Sequence, residues 1–261
     1  MLANQGDVVT RDDGNRKQSE REFHNHRYGS DTDPRDGLAR WYTAVDSAFR
    51  WQNELIRQAS TDTKILEYGC ADGRLSLLEE RFAQRFSRFC GIDISDRAIA
   101  RACQTAASMG LRGTRFEVMD AEAMTFHEGE FDLVFGRGIV HHLDLHKCFG
   151  EIARVLRPGG RAVFVEPMGH NPALNWYRSR TPALRTPDEH PLRMADFQLA
   201  QSYFGNVELR FFGLSTLFAV PLQQTKVGAP AMKLCEAADR FLLRVPLIQR
   251  NAWFVLMQLT R

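Results

Sequence analysis

Five short segments, in order along the chain, carry residues whose types and spacing can do chemistry. The first is Glu67-Tyr68-Gly69-Cys70-Ala71-Asp72-Gly73. Glycines and small residues in such a turn let the chain bend sharply and bring backbone N–H groups close to a bound ligand. The second is Asp93, 20 residues after Gly73. A carboxylate there can accept both hydroxyls of a ribose, and Ser95 is at hand to cap the next helix in its place. The third is Asp120, within Val118-Met119-Asp120-Ala121-Glu122; it can accept from an exocyclic amine of a base. The fourth runs from Phe131 to Leu143 and holds Gly136-Arg137-Gly138 and the pair His141-His142. The fifth is Leu156-Arg157-Pro158-Gly159-Gly160, followed by Glu166-Pro167. The dinucleotide fingerprint fails, because Ala71 and Arg74 stand where G-x-G-x-x-G needs its later glycines.

These residues need strand ends to hold them, and the hydrophobic rhythm supplies strand ends. Short apolar runs predict strands over 65–68, 89–94, 116–119, 131–135 and 161–166, separated by helical patterns. Ser95 and Asp144 are placed to cap two of those helices, and Pro158-Gly159-Gly160 to end the second after Leu156. Strands alternating with helices at this pace imply βαβ units and a parallel sheet. Before them, apolar residues from Leu38 to Ile56 predict a helix of about five turns covering a sheet edge or lining a pocket. After them the pattern loosens. Residues 168–193 hold several prolines and arginines and read as a broken, polar insertion. A helix follows over 194–204, then a strand within 207–220. The stretch 231–245 is amphipathic, with Leu234, Cys235, Ala238, Phe241, Leu242 and Val245 on one face, expected to pack inward or else to build an apolar pocket or a dimer contact. A last strand covers 253–259, and the final two strands suggest a hairpin at the sheet edge.

The order and spacing of the five segments resemble the class I methyltransferases that use S-adenosylmethionine (SAM), particularly the small-molecule group that includes the ubiquinone/menaquinone-type enzymes. The resemblance covers roughly residues 64–167. It implies an α/β, Rossmann-like, doubly wound sheet of seven mostly parallel strands with an antiparallel last hairpin. An N-terminal helix and helical or loop insertions after strands five and six would complete it. It also implies SAM as cofactor and S-adenosylhomocysteine (SAH) as product. Glu67, Gly69, Cys70, Ala71 and Gly73 would hold the methionine end. Asp93 would hold the ribose, Ile94 would pack on adenine, and Asp120 with Ala121 would read the adenine edge. Gly136 and Arg137 would lie beside the methionine moiety and the methyl group. The family commonly has glycine where Ala71 stands; alanine is small enough to require only slight adjustment.

A sulfonium methyl is already activated, so alignment and water exclusion supply much of the rate. A base is needed only where the acceptor must first lose a proton. Candidates are His142, then His170, with His141 and Glu166 beside them; histidine titrates near neutral pH. Each also has a structural reading, as a packed or capping histidine, a loop residue or a holder of loop backbone. The N/D-P-P-Y/F motif for planar amines, a Pro-Cys nucleophile and the acids of a metal-dependent catechol enzyme are not apparent. No metal is expected. Arg178, Arg180, Arg185 and Arg193 could grip an acidic group of the acceptor. The predicted activity is methyl transfer to O, N or C of a small acceptor, in the natural-product, quinone or lipid range. A non-methylating use of the cofactor and a non-catalytic SAM- or SAH-binding module are the rival readings.

Composition sets the outer bounds. The 261 residues are 44% hydrophobic and 25% charged, with a formal net charge of +2. Those values suit a globular protein and give no push toward nucleic acid. Five scattered cysteines with no C-x-x-C pair suggest reduced thiols, a cytoplasmic setting and no iron–sulfur centre. No apolar run reaches the length of a membrane span. The expected organisation is a mobile arm over 1–20, a helical cap over 21–63, and a SAM-binding domain over 64–261 with acceptor-side insertions at 168–193 and 221–248. A homodimer is left open.

Overall fold

The computed structural model describes residues 13–29, 36–186 and 189–261. Its centre is a seven-stranded sheet in the order β3-β2-β1-β4-β5-β7-β6. The strands are β1 Lys64–Tyr68, β2 Arg88–Asp93, β3 Thr114–Val118, β4 Phe131–Arg137, β5 Leu156–Pro167, β6 Asn206–Phe212 and β7 Phe254–Thr260. Strands β1 to β5 pair in parallel, while β7 runs antiparallel to both β5 and β6. The central strands are apolar on both faces, as a sheet covered by helices on each side requires. Tyr68, Val134, Phe149, Ile152 and Phe164 pack on one side; Ile65, Phe82, Phe89, Phe135 and Leu256 pack on the other. The chain leaves β1 for β2 on one side and returns to β4 on the other. The gap between β1 and β4 at their carboxyl ends is therefore the crevice where an open α/β sheet binds ligands.

Several elements differ from their sequence expectation. The expected arm over 1–20 lies outside the described residues up to residue 12, but Asp13–Gly29 is one α-helix. Its side chains are nearly all polar, so it has no apolar stripe to reveal it; ion pairs hold it down. The five-turn helix before β1 is a series of short turns, Asp36–Leu38, Ala39–Tyr42 and Thr43–Val45, ending in the α-helix Asp46–Arg57. After β1, one expected helix is a π-helical turn Leu75–Glu79 and a short helix Phe82–Arg85, broken at Arg81 with φ +56°. Leu156 belongs to β5 rather than to the preceding helix.

The insertion at 168–193 is more ordered than its composition suggests, since it contains the helix Pro172–Arg180 and the 3₁₀ turn Pro182–Leu184. Asn171 caps that helix by accepting from Ala173 and Leu174 N–H, and Met168 and Leu192 at its base are fully buried. In the helix Gly228–Leu242 the expected inward face is not the buried one. Leu234 is 72% exposed and Phe241 69%, whereas Asp239 is buried. The Asp239 carboxylate fixes the helix by accepting from the N–H groups of Leu214 and Ser215 and from the Ser215 hydroxyl. Hydrogen bonds to a buried charge outweigh the apolar stripe here. No helix among the described residues is long and apolar enough to cross a membrane.

Candidate active site

The carboxyl ends of β1, β2, β3 and β4 open into a single cavity of about 900 Å³. On one side the turn after β1 forms its floor. Gly69, Ala71 and Gly73 all adopt positive φ, of 74°, 51° and 72°. A Cβ on Gly69 would sit 2.7 Å from Ile139, and one on Gly136 would sit 2.5 Å from the Tyr68 carbonyl. Glycine is therefore required at both places by space, and at Gly69 by conformation as well.

The carboxylates stand around this turn. Asp93 accepts from Ala71 N–H and Ser95 N–H, each at 2.9 Å. Those bonds fix its position while leaving lone pairs for a ligand diol. Ser95 caps the following helix through Ala98 N–H, as the sequence suggests. Asp120 accepts from Glu122 N–H at 2.8 Å, and its other oxygen lies 2.7 Å from Lys17 Nζ. The buried Tyr68 hydroxyl donates to the Ala121 carbonyl at 2.6 Å and so steadies the Asp120 loop.

Glu67 lies behind the turn. It is buried, its Oε2 has no hydrogen-bond partner among the described residues, and burial pushes its carboxyl up to about 8. An orphaned buried carboxylate oxygen is costly unless something cationic or hydrogen-donating reaches it. Arg137 is likewise enclosed, with burial lowering its guanidinium to about 10. It donates from Nε to Gln52 Oε1 at 2.6 Å and also bonds Asn53, and it stacks on Phe49. Gln52 Nε2 in turn donates to the carbonyls of Gly136 and Val163.

The far half of the cavity is a mostly apolar chamber. Trp41, Tyr42 and Phe49 enter from the segments before β1, Leu174 and Tyr177 from the insertion after β5, and Leu217 and Phe218 from the segment after β6. Tyr42 stacks on Trp253 with ring centroids 5.5 Å apart. Where the two halves meet, His141 and His142 project from a 3₁₀ turn after β4. Burial, and then His141, lower the His142 imidazole below its usual range.

Among the residues singled out in the sequence, Gly69, Ala71, Asp93, Ile94, Asp120, Ala121, Arg137, His141 and His142 all line the cavity. Glu67, Cys70, Gly73, Gly136 and Glu166 stand just behind its wall. Cys70 is buried, and burial raises its thiol well above the usual range, so it is not a nucleophile. The Glu166 carboxylate accepts from the N–H groups of Ile139, Val140 and His141 and from His141 Nδ1, which fixes the turn that presents the histidines. His170 is set apart, accepting from Met194 N–H outside the cavity.

Sequence reasoning missed Arg16, Lys17 and Glu20 on the N-terminal helix, and Gln52, Asn53, Glu122 and Glu189. Arg16 pairs with buried Glu122 and donates to the His142 carbonyl, Lys17 bridges Asp120 and Glu122, and Glu20 meets His142. Burial would raise the Glu20 carboxyl, but hydrogen bonds from His142, His24 and Thr186 hold it well below the usual range. The contacts of Arg16 and Lys17 and that of Glu20 with His142 join residues more than 100 positions apart and leave no local pattern.

Residues 65–160 match a family model described as a methyltransferase domain. That match runs from the start of β1 into β5, so this stretch of the chain is similar to a methyltransferase domain. Over 132 residues it is 26% identical to an uncharacterized methyltransferase of Bacillus subtilis, covering 50% of this chain and 51% of that protein. Over 140 residues it is 31% identical to a demethylmenaquinone methyltransferase of Thermus thermophilus, covering 52% of this chain and 63% of that one. The chain thus aligns with between half and two thirds of the length of these relatives. The fold of the methyltransferase domain with its appendages is similar to that of a geranyl diphosphate C-methyltransferase from Streptomyces coelicolor, solved with Mg²⁺, geranyl diphosphate and SAH. That comparison has a TM-score of 0.63 at 15% identity and covers 94% of this chain and 98% of the other.

Proposed function

We propose that the protein is a SAM-dependent methyltransferase acting on a small organic acceptor with an apolar body. The observation that carries this reading is the continuity of the cavity. It runs from Asp93, Asp120 and the Gly69 turn into an aromatic chamber, with the β1–β4 crevice between. When bound, SAM supplies a methyl group already activated by its sulfonium. Asp93 would take the ribose hydroxyls, Asp120 and the Ala121 backbone the adenine edge, and Ile94 the adenine face. Glu67, the Gly69 turn and Gly136 would hold the methionine end, and the orphaned Oε2 of Glu67 suits an ammonium. Gln52 and Asn53 would keep Arg137 in place beside it.

The aromatic chamber would orient the acceptor and exclude water, so that its nucleophilic atom lies in line with the methyl–sulfur bond. His141 and His142 are the polar wall that an acceptor hydroxyl or amine would face. Glu166 and His170 do not reach it: one is taken up by turn backbone and the other lies outside. The demethylmenaquinone and geranyl diphosphate relatives fit an apolar acceptor, and so does the lining of Leu174, Leu217 and Phe218.

The test is incubation of methyl-labelled SAM with the protein and host extract. Label recovered in a small organic-soluble molecule is the expected result. Label found only in RNA would overturn the acceptor class. SAM binding with no label transferred to any fraction would favour a non-methylating or non-catalytic role.

A further inference from the structure

The wall between the two halves of the cavity holds a cluster that sulfonium chemistry does not itself require. One donor atom each from His141, His142 and Glu189 lies within 4.8 Å of the others. Both imidazoles are buried, with ring centroids 4.1 Å apart. Each is held at Nδ1 by a different buried carboxylate. Glu166 Oε2 lies 2.7 Å from His141 Nδ1, and Glu20 Oε1 lies 3.3 Å from His142 Nδ1.

A carboxylate at Nδ1 selects the Nδ1–H tautomer and turns the lone pair of Nε2 outward. Such a partner commonly orients a histidine for a metal. On the far side of the His142 ring, Nε2 lies 3.9 Å from Glu189 Oε1. Glu189 Oε2 lies 3.5 Å from Arg185 Nε, which leaves the carboxylate turned with Oε1 toward the His142 ring.

We propose that His141, His142 and Glu189 hold a divalent transition metal of the Zn²⁺ or Fe²⁺ kind. Two imidazoles and one carboxylate suit those ions, whereas Mg²⁺ and Ca²⁺ prefer oxygen shells. Metal–nitrogen bonds of about 2.0–2.1 Å would draw the donors closer than they now stand. Glu189 sits in the loop after the 3₁₀ turn Pro182–Leu184, where side-chain rotation can supply that movement. Glu166 and Glu20 would orient the ligands from behind. The open coordination positions would face the cavity, where an oxygen of a bound small molecule completes the shell. Because Glu20 comes from the N-terminal helix, docking of that helix would support the site.

The test needs no acceptor and does not depend on methyl transfer. Untagged protein is stripped with a chelator and titrated with Zn²⁺ by calorimetry; Co²⁺ absorption spectra then report the ligand field. The expected result is one equivalent bound per chain, with affinity at least tenfold weaker in Glu189→Gln and in His142→Asn. Glu189→Gln keeps the test valid if His142→Asn fails to fold. Exposed His127→Gln serves as a control and should bind as the wild type does. Absence of a stoichiometric equivalent, or binding unchanged in Glu189→Gln, would overturn the proposal.

Discussion

Glu67 is the residue whose surroundings make the sharpest demand. Burial raises its carboxyl to about 8, with Asp93 and Asp72 adding to the effect and Arg137 opposing it. A carboxyl raised in the folded state stabilises the fold fully below its ordinary value, and that stability is lost as pH rises through the folded value. Unliganded protein should therefore lose thermal stability between about pH 4.5 and 8, by at most ~1.4 kcal/mol per pH unit from this group. Glu67→Gln should flatten that decline in melting experiments; an unchanged slope would show that the group is not buried as a neutral acid. A ligand ammonium would draw the proton off, so binding near pH 7 should release protons in the wild type and not in Glu67→Gln. Calorimetry in buffers of different ionisation enthalpy reads that difference directly. For His142 the expected split is kinetic: His142→Ala should slow label transfer more than it weakens SAH binding. Equal loss in both would mean that the residue only supports the fold.

At the scale of elements, the N-terminal helix is the unusual one. Its described anchors are ion pairs and hydrogen bonds at Glu122, Asp120, Ser95, Asp96 and His142, over the rim of the cavity. No described residue of this helix belongs to the apolar core on either face of the sheet, so the sheet should fold without it. Removing residues 1–29 should leave the melting transition cooperative but speed release of SAH, read by stopped-flow fluorescence. An unchanged release rate would mean that the helix is not a cover.

The same contrast explains what could be read in advance. The strands and turns around Gly69, Asp93 and Asp120 were legible because strand period, glycine positions and helix caps are local signals. The N-terminal helix was not, because Arg16, Lys17 and Glu20 find partners more than 100 positions away. The inward face of Gly228–Leu242 was misread for a related reason. A single buried Asp239 with several donors decides the helix orientation, and no apolar periodicity reports that.

At the scale of the whole molecule, the local turns and carboxylates become the walls of one cavity. The sheet order places four strand ends around one cavity, and the flanking segments close its other half with aromatic side chains. The central claim is that the first half of this cavity binds SAM. Gly69→Ala would force a Cβ against Ile139 at a positive φ, and it should abolish binding while lowering the melting temperature. Asp93→Ala removes a carboxylate that anchors the turn and would accept from the ribose; hydrogen bonds to charged groups are worth about 1.5–3 kcal/mol each. Calorimetric titration with SAH is the most direct measurement. One site per chain is expected in the wild type, with affinity lowered at least tenfold in Asp93→Ala. A folded wild-type protein that binds neither SAH nor SAM would contradict it.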